Sequence, residues 1–360
     1  MNFMHVVGAR PNFMKVAAVY RAIQDARHEQ SVIHTGQHYD TQMSEVFFRQ
    51  LEMGPPTRNL EVGSGSHAQQ TALIMSRFEP VLLELRPDWV IVYGDVNSTV
   101  AAALVCSKLG VRICHVEAGL RSYDRTMPEE VNRVVTDQLA DLLFTPSREA
   151  DENLVREGIP RDKIFFVGNV MIDTLLRALP AADDVYITLS KMLDLSSFGL
   201  ITLHRPSNVD DESVFLRILD ALKALSHSLP LVFPVHPRTR QRWSKELEGI
   251  PGLKIIDPLG YLEFIALERN AQVVITDSGG VQEETTALNV PCITIRENTE
   301  RPITISQGTN VLVGHDTERL KAEFKRVITG KRGAKVIPEN WDGSAGRRIA
   351  SILSMTVGSS

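Results

Sequence analysis

The chain has little cysteine: three in 360 residues, at Cys106, Cys114 and Cys292. They are odd in number, never in Cys-x-x-Cys spacing, and each lies in an apolar strand or helix pattern. That excludes a disulfide framework or a zinc site built on thiolates, and predicts reduced core residues. An excess of basic charge is also missing. Lys and Arg total 39 against 44 Asp and Glu, a net charge of −5, so duplex nucleic acid is not an expected partner. No apolar run approaches membrane-spanning length, the longest lying around Val100 to Cys106. The amino terminus, Met1-Asn2-Phe3-Met4-His5-Val6-Val7-Gly8, enters a strand pattern without the basic and apolar regions of a secretory leader. A cytoplasmic protein with no membrane partner is the resulting expectation. Gly-x-Gly-x-x-Gly, a Walker motif and any His/Cys cluster at ligand spacing are absent as well.

What is present is an alternation of β-rich apolar runs and helical stretches along the whole chain. Strand patterns fall at 3–7, 31–35, 89–93, 113–116, 142–145 and 164–167, then at 199–202, 231–235, 253–256, 273–276 and 291–295. Helical patterns between them include 13–27, 67–85, 98–109, 129–140, 213–226, 238–248, 261–269, 281–288 and 317–329. This order predicts an α/β protein of two Rossmann-like domains, each a parallel sheet with helices on both faces. Strand signal disappears between about Val170 and Ser197, across two polar helical segments. The expected division is therefore 1–170 and 171–344, with a last helix at 345–356 crossing back to the first domain. Ligands of open α/β sheets bind beyond the carboxyl ends of strands, so two such domains are expected to face a central cleft.

The strand exits carry unusual polar residues. The most informative is Asp277-Ser278-Gly279-Gly280-Val281-Gln282-Glu283-Glu284, where a strand turns into a helix N-terminus. Free amides and the helix dipole there suit an anion, and glycine lets it approach closely. Glu284, a turn and a half on, suits a polar group attached to that anion, such as a ribose hydroxyl. The same residues also fit an N-capping serine in a tight turn. Other exits read Gly8-Ala9-Arg10-Pro11 with Lys15, Gly94-Asp95, His115-Val116-Glu117, His204-Arg205-Pro206 and His236-Pro237-Arg238. Pro128 marks a helix start, and Glu129 and Arg133 share a face at i,i+4 spacing, where an exposed ion pair is the plainest reading.

With those residues in view, the chain resembles the non-hydrolysing UDP-N-acetylglucosamine 2-epimerase family. The matching segments run in order along essentially the whole chain: Gly8-Ala9-Arg10-Pro11 with Lys15, Gly94-Asp95, His115 through Arg121, and Pro128-Glu129-Glu130 with Asn132-Arg133. They continue with His204-Arg205, Pro234-Val235-His236-Pro237, Thr276 through Glu284, and Arg296 with Glu300-Arg301-Pro302. The resemblance implies the glycosyltransferase-B type architecture, a UDP-sugar substrate, a homodimer, and inversion at C2 without NAD or metal. It implies Asp95, Glu117 and Glu129 as the acid/base carboxylates, with His204 near the diphosphate and Arg133 pairing with Glu129. Arg10, the Ser278-Gly279-Gly280 amides and Arg301 would hold phosphates or sugar groups, and Lys15 the sugar or a carboxylate. Glu284 would take the ribose, Tyr261 and Phe264 would shape the uracil pocket, and His236 would line the same cleft.

Some positions depart from the family pattern. Asp40 stands where a second glutamine follows Gln37-His38 in substrate-activated bacterial members, and Gln69 precedes Gln70-Thr71 where arginine is usual. Activation through a second nucleotide-sugar site is therefore not expected here. Leu203-His204-Arg205-Pro206-Ser207-Asn208 looks more like members acting on modified sugars and like archaeal ones, and Leu259 replaces a glutamine near the base. A 2-epimerase of UDP-diacetamido-glucuronate, with Arg205, Arg238 or Arg121 facing the added carboxylate, is a second reading. A hydrolysing epimerase and a glycosyltransferase are more distant ones.

Overall fold

Both sheets are entirely parallel, and alternate residues along their strands bury on opposite faces. The computed structural model describes residues 1–8, 10–37, 51, 53–235, 237–330, 333 and 336–356. The chain divides into two compact units, Met1–Thr174 with the chain from Glu339 onward, and Leu175–Pro338.

The first unit carries strands β1 (Asn2–Val7), β2 (Glu29–His34), β3 (Arg58–Asn59), β4 (Trp89–Tyr93), β5 (Arg112–Val116), β6 (Leu142–Thr145) and β7 (Ile164–Phe166). They lie in the order β3-β2-β1-β4-β5-β6-β7. Among the described residues, its helices of eight residues or more are α1 (Arg10–Asp25), α2 (His67–Leu85), α3 (Asn97–Leu109), α4 (Pro128–Leu139) and α5 (Arg148–Arg156), besides the two given below. Helix α6 (Val170–Met192) contains the division between the units. Met4, Val6, Val90 and Val92 pack with Ile74, Phe78 and Ala101–Ala103 of α2 and α3 into one core. Helix α2 starts on a capping box, Ser66 and Gln69 each accepting from the other's backbone.

The second unit carries β8 (Gly199–Thr202), β9 (Leu231–Pro234), β10 (Leu253–Ile256), β11 (Val273–Thr276), β12 (Cys292–Thr294) and β13 (Asn310–Leu312), in the order β10-β9-β8-β11-β12-β13. Its longer helices are α7 (Glu212–Ser226), α8 (Tyr261–Asn270), α9 (Gly279–Leu288) and α10 (Thr317–Thr329). Ile201, Phe233 and Ile275 join Phe215, Leu219 and Phe324 on one face, while Leu200, Val232 and Val274 join Leu189, Leu267 and Val281 on the other. Strands buried on both faces are why the sequence reads as continuous apolar runs.

The pattern expected a break between two polar helices in 170–197, but α6 runs unbroken through Pro180. The pattern expected one helix over 238–248, where there are two short pieces, Pro237–Arg242 and Ser244–Leu247. Helix α9 ends with Asn289 in the left-handed region, φ 57°, two residues before the proline expected to stop it. Strands β3 and β13, two and three residues long, are too short to give a periodic signal. The carboxyl-terminal helix α11 (Ala345–Met355) packs on α1 of the first unit. No helix among the described residues is long and apolar enough to cross a membrane.

Candidate active site

In each sheet the strand order reverses direction at one point, between β1 and β4 and between β8 and β11. A doubly wound sheet opens its ligand crevice at such a point. Lys15, Asp95, His204 and Ser278 follow the four strands at these points, and Glu117 follows the neighbouring β5.

In the first unit Lys15, in the second turn of α1, ion-pairs through Nζ with Glu117 Oε2 directly after β5, and both side chains are less than a tenth exposed. Glu117 has φ 72°, in the left-handed region that a residue with a Cβ enters at a cost. Its amide and that of Ala118 both donate to the Phe144 carbonyl, at 3.0 and 3.1 Å. Asp95, directly after β4, keeps about a quarter of its side chain exposed and is ion-paired through Oδ2 with Arg133.

Arg133 is not the partner of Glu129. Its Nη2 and Nε donate to Glu130 Oε2 at 2.7 and 3.1 Å, while Glu129 is exposed. The buried stripe of α4 is Glu130, Arg133, Thr136 and Asp137, and Glu129 sits one residue, about 100°, off it. Glu130 also accepts from the amides of Ser122 and Tyr123, each at 2.9 Å. Burial would raise its pKa, but the Ser122 amide and Arg133 together hold it below the usual range. It fastens the loop ahead of α4 while leaving Glu129 outward.

Arg121, a candidate to meet a substrate carboxylate, is committed elsewhere. It holds Glu157 at 2.8 and 2.5 Å and Asp137 at 2.8 Å.

In the second unit the buried Asp277, at the end of β11, organises the β8 exit. It accepts from the amides of His204 at 3.1 Å and Arg205 at 3.0 Å and from Asn208 Nδ2 at 2.9 Å. Its Oδ1 lies 3.2 Å from His204 Nδ1, so the imidazole, with its side chain 55% exposed, is steered by that contact. Ser278 is the N-cap of α9 but its side chain makes no capping bond, so the alternative of a capping serine is not realised. A Cβ on Gly279 would lie 2.5 Å from Arg301 Nη1 and 2.8 Å from Glu300 Oε1. Glycine there is what lets Arg301 reach the amino end of the helix, where it is held by Glu283 Oε1 at 2.9 Å and by Glu300. Gly280 follows in the first turn, half-buried.

Glu284 is buried, with the Tyr261 hydroxyl donating to it at 3.5 Å. Burial and then Glu283 push its carboxyl well above the usual range, the Tyr261 hydroxyl offsetting part. Glu268, on the same face of α8 as Tyr261, is fully buried with neither carboxylate oxygen hydrogen-bonded, and is driven toward its neutral form. Phe264 is half-buried against that core. The Arg10 and Arg238 side chains, and His236, His38 and Asp40, lie outside the described residues. Gln69 is the exposed capping-box partner of Ser66. No group of three or more metal-ligating side chains occurs among the described residues.

The sequence reading quoted Asp277 and Glu130 within motifs without giving either a role, and it passed over Glu268. Asp277 had a signal, since a carboxylate at a strand exit beside glycines rarely stays idle. Glu130 and Glu268 gave none, because burial phase on a helix decides their part.

Comparison with known proteins adds an independent line. The family profile described as UDP-N-acetylglucosamine 2-epimerase matches residues 21–354. The UDP-N-acetylglucosamine 2-epimerase of Methanocaldococcus jannaschii is 41% identical, over 98% of this chain and 99% of its own. The UDP-2,3-diacetamido-2,3-dideoxy-D-glucuronate 2-epimerase of Pseudomonas aeruginosa is also 41% identical, with 98% and 99% covered. A crystal structure of the Methanocaldococcus jannaschii UDP-GlcNAc 2-epimerase, in complex with UDP-GlcNAc and UDP, superposes with a TM-score of 0.92 at 41% identity, covering 99% of this chain and 100% of that one.

Proposed function

The chain belongs to the UDP-N-acetylglucosamine 2-epimerase family, and from that premise and the site geometry we propose that it interconverts UDP-N-acetylglucosamine and UDP-N-acetylmannosamine. The enzyme is an isomerase of glycosyltransferase-B type architecture. The observation that carries the mechanistic reading is the pair of carboxylates after β4 and β5, each held by its own buried cation: Glu117 by Lys15 and Asp95 by Arg133.

The chemistry asks for such a pair. C2 of the intact sugar has no adjacent carbonyl, so its proton is not acidic. When the C1–O bond breaks, UDP leaves with the electron pair and positive charge develops at C1. The C2–H electrons then form a C1=C2 double bond as a carboxylate takes the proton, giving 2-acetamidoglucal and UDP. A second acid returns a proton to the opposite face of C2 while UDP adds back at C1. Asp95, Glu117 and the outward Glu129 are the acid/base set in this reading, each capable of about 10²–10⁴-fold in rate. His204 and Arg301 with the α9 amides face the diphosphate and stabilise its departure, with Arg10 and His236 as further contacts. A neutral Glu284 both donates and accepts, which suits a ribose diol, and Tyr261 and Phe264 border the base.

The diacetamido-glucuronate reading is the runner-up, supported by the equally identical Pseudomonas relative. The engagement of Arg121 by Asp137 and Glu157 removes one of its cations. Family resemblance also carries a homodimer, which sedimentation analysis tests.

The decisive experiment is proton NMR of the protein with UDP-N-acetylglucosamine in D2O. Deuterium at C2, with UDP-N-acetylmannosamine accumulating, is the expected result. Free N-acetylmannosamine with UDP moves the enzyme to hydrolytic chemistry, and silence moves the substrate to the diacetamido uronate.

A further inference from the structure

His115 is fully buried on β5, two residues before Glu117. Its Nδ1 lies 2.6 Å from Asp137 Oδ1 and its Nε2 2.8 Å from the Gly94 carbonyl oxygen. A carbonyl oxygen has no proton to give, so Nε2 carries hydrogen. Burial would raise the Asp137 carboxyl, yet His115 and Arg121 hold it below the usual range. His115 and Arg121 thus meet on Asp137, and Arg121 also holds Glu157.

This quartet grips both carboxylate-bearing turns. Gly94 sits at φ 59°, a conformation glycine adopts freely, with its amide donating to the Val116 carbonyl at 3.0 Å and its carbonyl taken by His115. The peptide joining Gly94 to Asp95 is planar, so fixing its oxygen fixes the plane from which Asp95 departs. On the other side Asp137 Oδ2 accepts from the Gly119 amide at 3.1 Å, anchoring the loop that follows Glu117.

Resting on the epimerase reading above, we propose that His115 is a positioning residue, a buried imidazole strung between Asp137 and the Gly94 carbonyl that holds the Asp95 turn in register with the Glu117 turn. It touches no reacting atom. Asp95 is thereby set at two points, its backbone by His115 and its carboxylate by Arg133.

The test combines two substitutions with a spectroscopic signature. In His115→Phe, kcat and C2 deuterium exchange should fall together by about 10²-fold, the scale of a misplacement near 1 Å, with KM and UDP affinity unchanged. His115→Gln keeps a donor for the Gly94 carbonyl and should recover part of the rate. Imidazole nitrogen NMR of the native protein should show His115 Nε2 protonated, as a donor to the Gly94 carbonyl requires. An active His115→Phe, or a spectrum with Nε2 bare, overturns the proposal. Parallel loss of kcat, KM and UDP affinity would reduce it to ordinary folding support and overturn it equally. If His115→Phe does not fold, the glutamine variant and the spectrum decide. Absence of exchange in the native enzyme would instead count against the substrate. The variant-to-native ratio would then be read with the diacetamido uronate.

Discussion

Glu117 carries two costs, a left-handed backbone and a buried charge, and Lys15 offsets the second. Removing one partner of such a pair strands the other, at about 3–5 kcal/mol. Lys15→Met should therefore lower the melting temperature sharply and abolish C2 exchange. Adding Glu117→Gln should restore much of the stability and none of the exchange. A double variant no more stable than Lys15→Met would show that the pair is not the source of the loss. Glu129 and Glu130 are adjacent, the first exposed and the second buried. Glu129→Gln, at an exposed position, should stay within about 0.5 kcal/mol of native stability, while its kcat drops by about 10²-fold or more. Glu130→Gln should do the reverse first, losing about 1–3 kcal/mol as a charged acceptor of two amides and an arginine is weakened. Denaturation and exchange measured on the same preparations separate them. The sequence spacing made Glu129 and Arg133 look like partners. Nothing short of the packed α4 reveals that Glu130 faces inward.

Strand ends were legible because the pattern that marks a buried parallel strand also marks where it stops, so Asp95, Glu117, His204 and Ser278 could be placed before any coordinates. Helix phase was not, which is why Glu130, Glu268 and the Asp137 anchor escaped. At the amino end of α9 the close approach of Arg301 to Gly279 yields a sharp expectation. Gly279→Ala should push Arg301 away at about 1–3 kcal/mol, seen by calorimetry as at least a tenfold loss of UDP affinity, with the fold intact. Unaltered UDP binding would remove Arg301 from the nucleotide site. The start of α11 offers a pH dependence. Asp173 of α6 accepts from the amides of Ala345 and Gly346 at 3.1 and 2.8 Å. Burial nonetheless pushes its carboxyl up to about 6 from an ordinary 3.8. A folded pKa above the unfolded one contributes stability that is present below about 4 and lost as pH rises through about 6, up to about 3 kcal/mol. Between about pH 4.5 and about pH 7, native protein should thus lose stability relative to Asp173→Asn. Parallel melting curves would refute it.

The two units divide the labour in the proposed reaction: carboxylates after β4 and β5 in the first, and a helix N-terminus, Arg301 and Glu284 in the second. Each has its own sheet and its own buried core, so binding of the nucleotide and chemistry on the sugar should be separable by substitution. A ligand that binds only the folded state adds RT ln(1 + [L]/Kd), about 2.7 kcal/mol at a hundredfold excess over Kd. UDP should therefore raise the melting temperature of Asp95→Asn and Glu117→Gln as much as that of the native protein, although both are defective in exchange. Arg301→Ala and Gly279→Ala should lose most of the UDP shift, and their C2 exchange should recover only in part as UDP-sugar concentration is raised. The first pair would then show a kcat defect with KM preserved, and the second a KM defect together with a kcat defect from the weakened hold on the departing diphosphate. If Glu117→Gln also lost the UDP shift, nucleotide binding would depend on the first unit's carboxylates. The assignment of the diphosphate to the α9 amides would then have to be abandoned.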